Sequence, residues 1–256
     1  QAVAETAVAR IGDTGYTTLQ DAINKATTGD TITLLQDVDL GSAKQVLYPT
    51  SDTTVHNLTF DLNNHKITAA VQNSGTVVAA REGLVIKNGT IENTSSGRKD
   101  ATSAVYVTNG GTTTLENVIL KSNYSGLYVC QLSNAVTVVV NVEEGTVING
   151  GKHGIKLDSP KSTSSSKVPE VTLNVNGGTI TGTTAGVHAS CAGSGNTGIV
   201  KVNIADGTVS GVTVISNNAN YPLNLAVTGG TIEGDLTSTA ANNISISGGN
   251  FTGEIK

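Results

Sequence analysis

Apolar and polar positions alternate along this chain in a pattern that keeps returning. Residues 173–180 (LNVNGGTI), 202–209 (VNIADGTV) and 225–232 (LAVTGGTI) match position for position, and related stretches run from Leu84 to Ile91 and from Val140 to Val147. Looser copies run from Phe60 to Ile67, Thr113 to Leu120 and Ile244 to Phe251, which makes eight. In five of the eight copies two apolar residues stand two apart with a polar residue between them, the mark of a strand with one buried face. The first inward column reads Phe60, Leu84, Thr113, Val140, Leu173, Val202, Leu225 and Ile244; the second reads Leu62, Ile86, Leu115, Val142, Val175, Ile204, Val227 and Ile246. A third column, Ile67, Ile91, Leu120, Val147, Ile180, Val209, Ile232 and Phe251, belongs to a second strand beyond a tight turn.

The turn has its own column: Asn64, Asn88, Asn117, Glu144, Gly177, Asp206, Gly229 and Gly248. Gly, Asn and Asp tolerate the left-handed backbone region, and only Glu144 breaks the rule. Successive copies lie roughly 20 to 30 residues apart, the period of a β-solenoid whose coils stack on one another. Polar, turn-rich residues 93–103 (NTSSGRKDATS) and 159–169 (SPKSTSSSKVP) lengthen two coils and read as insertions. A globular sandwich would not keep its columns in register through such insertions.

A further short strand falls between copies: Val105-Tyr106-Val107, Leu127-Tyr128-Val129, Ile155-Lys156-Leu157, Val187-His188-Ala189 and Val212-Thr213-Val214. The last four follow a glycine, at Gly126, Gly154, Gly186 and Gly211. The pattern therefore predicts an all-β, single-stranded right-handed parallel β-helix of about eight coils and three parallel sheets. Near the N-terminus the period changes. Leu19, Ala22, Ile23 and Ala26 share one helical face, with a Thr before them to cap and Gly29 after them to stop. A short capping helix over residues 17–28 is predicted, covering the apolar end of coils that fill 30–256 as a single domain. Residues 253–256 offer no such cap, so the expectation is a longer protein or an interface at that end.

Composition sharpens this picture. Hydrophobic residues make up 37%, charged residues 14% and aromatic residues 3%, with 30 glycines and no Trp, which rules out an irregular core built around rings and leaves room for a regular core of small β-branched side chains. Fifteen basic and twenty acidic residues give a net charge of −5, which argues against a nucleic-acid partner. No apolar run is long enough to predict membrane insertion. The chain opens at Gln1 and contains no Met, which suggests a mature or trimmed segment. Two cysteines make neither a disulfide framework nor a metal-ligand spacing. Cys130 is placed outward and Cys191 inward two coils away, about 10 Å by strand spacing and too far for a disulfide.

Candidate chemistry follows from the outward positions of the short strand. Tyr106, Tyr128, Lys156, His188 and Thr213 form one column, and Thr108, Cys130, Asp158, Ser190 and Ile215 a second. Neighbouring coils are about 4.8 Å apart, so Lys156, Asp158, His188 and Ser190 should form one patch with Tyr128 beside it. As a glycan site, Tyr106, Tyr128, Lys156, His188 and Ser190 would hold sugar rings. As a catalytic site, Lys156, His188 and Asp158 are the candidates, with a Lys or His base. The competing reading is a solvated strand face that happens to be polar. Only one carboxylate, Asp158, stands in these columns, whereas glycoside hydrolysis wants two, and a calcium site wants six or more oxygen ligands. No metal and no cofactor is expected. His56, His65 and His153 show no paired spacing and are expected in solvent. No outward column is continuously Thr, which disfavours an ice-binding array.

Coils with Asn/Gly turns, three sheets and an N-terminal helix resemble the pectate lyase-like superfamily of parallel β-helices. The opening 11–23 (IGDTGYTTLQDAI) with 29–35 (GDTITLL) resembles the start of β-helix domains in large surface proteins of gut-dwelling bacteria. The resemblance implies an extracellular or cell-surface location and further domains of the same parent protein. Host or plant glycans are the expected partners. It places the groove of the polysaccharide enzymes on the face of the short strands. The calcium-dependent lyases of that superfamily use clustered acidic residues there, and this chain lacks the cluster. The expected function is non-catalytic: adhesion, glycan binding or spacing. The alternative is a polysaccharide lyase or glycoside hydrolase.

Overall fold

In the computed structural model the repeated copies lie directly on one another. It describes residues 6–42, 46–48, 55–72, 75–99, 101–130, 137–158, 168–191, 198–216, 218, 220–239 and 242–256. The result is a right-handed β-solenoid with one short helix. Its strands pair in parallel from coil to coil, as in Phe60 opposite Ile86, Ile86 opposite Leu115, and Leu173 opposite Val202. The stack makes about six turns rather than eight. The outermost copies serve as end turns of the described stack, the first of them meeting the N-terminal segment.

Among the described residues two hydrogen-bonded sheets rather than three run along the stack, one of 16 strands and one of eight. In four coils the predicted tight turn is only a bend, and backbone pairing passes through it. Leu84–Asn93, Gly111–Ser122, Glu170–Gly182 and Ile199–Val209 each run through the bend as one strand. Where one residue is added the strand breaks, into Thr137–Val142 and Val147–Gly150. That addition moves the inward residue of this coil from Val147 to Ile148, which pairs with Leu120 on one side and Ile180 on the other. Glu144 is thereby explained. Gly145 beside it takes the left-handed conformation at φ 77°, and Thr146 tucks inward to donate its hydroxyl to the Leu115 carbonyl at 3.0 Å.

The left-handed residue itself changes along the stack. Asn64, Asn88 and Asn117 hold it in the early bends, whereas later bends place it one residue further on, as at Gly178. Gly178 has φ 82°, and a Cβ there would lie 2.5 Å from the Thr146 carbonyl oxygen of the coil below. On the outside, amides stack in the same rhythm. Asn174 Nδ2 donates to Asn141 Oδ1 and Asn203 Nδ2 to Asn174 Oδ1, both at 2.9 Å.

Both strand columns are buried in the first seven copies, and only Ile244 and Ile246 of the last turn are exposed, at 37% and 40%. At the other end the helix spans Leu19–Lys25. Thr18 caps it, its hydroxyl accepting from the Asp21 amide at 3.1 Å. Leu19, Ala22, Ile23 and Ala26 are buried against the coils, as the pattern predicts. A hairpin that sequence reading missed, Ala9–Ile11 with Thr14–Tyr16, joins this cap. It pairs antiparallel, and Ala9–Ile11 also runs antiparallel to Thr31–Leu34. The insertion at 159–169 lies almost wholly outside the described residues.

Thr113 stands fully buried in an otherwise apolar column, and its hydroxyl has no hydrogen-bond partner among the described residues. Thr113→Val should therefore raise stability by about 1 kcal/mol, read as a higher midpoint in urea denaturation. Gly178→Ala should lower it by about 2 kcal/mol or more, through φ and the carbonyl contact together.

Candidate functional site

The second sheet assembles the outward columns. Its central strands are Ser103–Thr108, Ser125–Cys130, His153–Asp158, Ala185–Cys191 and Val212–Ser216. Their pairing sets Tyr106 opposite Tyr128, Tyr128 opposite Lys156, Lys156 opposite His188 and His188 opposite Thr213. Cys130, Asp158, Ser190 and Ile215 follow in the same way, while Thr108 pairs with Arg81. The glycines before these strands mark a close approach of the two sheets. A Cβ on Gly126 would lie 2.6 Å from the Ile148 side chain.

Lys156, Asp158, Ser190 and Tyr128 meet in one hydrogen-bonded cluster. Lys156 Nζ donates to Asp158 Oδ1 at 2.5 Å and to Ser190 Oγ at 2.7 Å. Ser190 Oγ donates to Asp158 Oδ1 at 2.9 Å, and Tyr128 Oη to Asp158 Oδ2 at 2.7 Å. The Tyr128 ring stacks on Tyr106, with centroids 5.3 Å apart and planes 19° apart, and Tyr106 Oη donates to the Cys130 carbonyl. This face is not in open solvent. Lys156 is 4% exposed and Ser190 9%.

Burial pushes the Asp158 carboxyl up, but the Lys156 ammonium and the bonds from Lys156, Tyr128 and Ser190 outweigh it and hold it below the usual range. Burial pushes the Tyr106 phenol up to about 12, and Tyr128 higher still, where Cys130 and the Asp158 charge add to burial. The cluster therefore keeps its phenols protonated and its carboxylate ionised. Its ammonium, carboxylate and hydroxyls are engaged with one another, which is the arrangement of a structural polar cluster.

His188 lies beside this cluster and packs on His153, ring centroids 4.5 Å apart. His153 was expected in solvent and is instead 2% exposed, because the first residue of its strand turns into the corner between the sheets. His65 lies half-buried beside Asp37, and His56 half-buried near Glu82. Cys130 and Cys191 are both buried and form no disulfide, and Cys191 belongs to the apolar core.

Sequence reading missed the corner where the first sheet hands over to the second. There the edge of the Tyr124 ring meets His153 at 6.1 Å and 88°. Lys152 Nζ donates to Tyr124 Oη at 2.7 Å and lies 4.9 Å from its ring centroid. Arg98, Asn123, Tyr124, Lys152 and Thr183 help line a groove of about 530 Å³. Asn123 and Gly151 also line a second groove of about 390 Å³. These residues fall in bends rather than in a repeated column. The available signal was an aromatic, Tyr124, two residues before the glycine column. Among the described residues no three His, Cys, Asp or Glu side chains gather as a metal site, and no helix is long and apolar enough to cross a membrane.

Fold and face together define a parallel β-helix with a closed polar cluster on its second sheet and an open groove at one corner. No protein-family model, no curated protein and no solved structure matches the chain.

Asp158→Asn should cost about 3 kcal/mol by leaving the Lys156 ammonium buried without its carboxylate. The pH dependence carries the same signature. Because the folded carboxyl ionises below its unfolded value of about 3.9, the stabilisation is present above that pH and lost as pH falls toward the folded value. Denaturation midpoints measured from pH 7 to pH 3 should fall more steeply for the parent chain than for Asp158→Asn.

Proposed function

We propose that this chain is a non-catalytic domain of a bacterial surface protein, related to the pectate lyase-like superfamily, that binds extracellular glycans. The observation carrying the reading is the closure of the Tyr128–Asp158–Lys156–Ser190 cluster. A lyase needs a base able to take a proton at the sugar, and a hydrolase needs an acid and a second carboxylate. Here the lysine is bound to the one carboxylate of the two columns. A stack of coils with grooves along its bends offers length and polar lining, which suits holding a chain of sugars. Surface location and further domains of the parent protein are supported by the likeness of residues 11–35 to surface β-helix domains.

Binding of the chain to an array of host mucin and plant glycans tests this. The expected result is retention of at least one glycan with no release of new reducing ends or unsaturated products. Product that disappears in a folded Lys156→Met or His188→Ala variant would establish the enzyme alternative instead. A blank array would leave a spacer or a protein-binding adhesin.

A further inference from the structure

We propose that the corner groove at Tyr124 is a subsite for an anionic sugar, one carrying a carboxylate or a sulfate ester. The inference rests on the glycan-binding reading above and names the chemical class and the place. Its first support is charge. In a chain of net charge −5 the described residues lining the groove include two cations, Arg98 and Lys152, and no carboxylate. Arg98 is exposed and makes no hydrogen bond or ion pair with any described residue. A guanidinium in that state presents its donor fork to a carboxylate or sulfate.

The second support is how the wall is built. At this corner the neighbouring turns are short: 122–125, 150–153 and 182–185 pass from one sheet to the next in a few residues. Residues 94–99 carry Arg98 out to the side of the groove. Tyr124 is held on two sides, by the Lys152 ammonium and by the His153 ring, so its ring is a fixed surface. Asn123 and Thr183 are braced by bonds to the backbone, Asn123 Nδ2 to the Ser95 carbonyl and Thr183 Oγ1 to the Gly151 carbonyl.

Size gives the third support. A groove of about 530 Å³ is roomier than a bare inorganic anion needs and falls in the range of small-molecule sites. It adjoins the second groove through Asn123 and Gly151, where Lys121 adds a further cation. Among the described residues the one carboxylate there, Glu92, is already paired with Lys66. A sugar chain laid along the bends therefore meets the cations Arg98, Lys152 and Lys121.

Calorimetric titration of the full chain with hyaluronan, dextran sulfate and uncharged dextran tests the inference. Hyaluronan offers only carboxylates and dextran sulfate only sulfates, so the two arms separate the sources. At least one should bind, with affinity falling as salt rises. Arg98→Ala and Lys152→Met should each weaken it about tenfold, the size expected for losing one charge-assisted bond. Arg98→Glu should abolish binding, while Lys201→Ala, on a different face, should leave it unchanged. Circular dichroism confirms that the variants are folded, and Arg98 sits on an exposed loop where substitution does not touch the core. Equal binding of anionic polymers to the parent chain and to Arg98→Glu would overturn the inference. So would binding of dextran or another neutral glycan alone, which would leave the glycan-binding reading standing. No binding to any of these polymers would overturn the inference, and a blank glycan array besides would overturn both.

Discussion

The whole molecule depends on one coil laying its strands in register on the next. Parallel strands about 4.8 Å apart offer every backbone donor and acceptor a partner, but only if successive coils have the same path. A slip of one residue would turn each inward column outward. The bends are therefore the critical points, since each must return the chain at the same angle whatever loop came before. Asn or Gly in the left-handed conformation does this, and the coil at Glu144 shows the adjustment when a residue is added: Gly145 takes the left-handed role and Ile148 restores the column.

The candidate site is a product of that register. Tyr128, Asp158 and Ser190 are about thirty residues apart along the chain, yet stacking makes them neighbours. A buried ion pair of this kind adds little net free energy compared with an apolar replacement. The bonds around that pair do something else: Tyr128 to Asp158, Lys156 to Ser190 and Ser190 to Asp158 run between adjacent turns and are lost if either turn shifts. The cluster, the stacked tyrosines and the amide ladder of Asn141, Asn174 and Asn203 all penalise a shift in this way.

Much of this was legible in the sequence because it follows from two periods, two along a strand and one coil along the stack. Those periods yield the inward columns, the helix face of Leu19, Ala22, Ile23 and Ala26, and the neighbours of Lys156. Whatever depends on side-chain reach or on a single extra residue was not legible. Nothing in the spacing says that Lys156 folds back onto Asp158 and Ser190, or that His153 turns into the corner onto His188. Nor does it say that hydrogen bonding passes through a bend and merges two expected sheets into one. The groove at Tyr124 escaped for a related reason: it is made of bends, where residues repeat in role but not in type.

Each turn of the stack rests only on its neighbours, so order along it is a nearest-neighbour property. What it takes to open one turn is then set by the bonds that tie it to the turn on either side. The turn of Lys156 and Asp158 is tied to the turn of Tyr128 on one face and to the turn of Ser190 on the other, so opening it breaks directed bonds on both faces. The first coil is held in a different way, by the antiparallel hairpin paired to Thr31–Leu34 and by the apolar face of the helix.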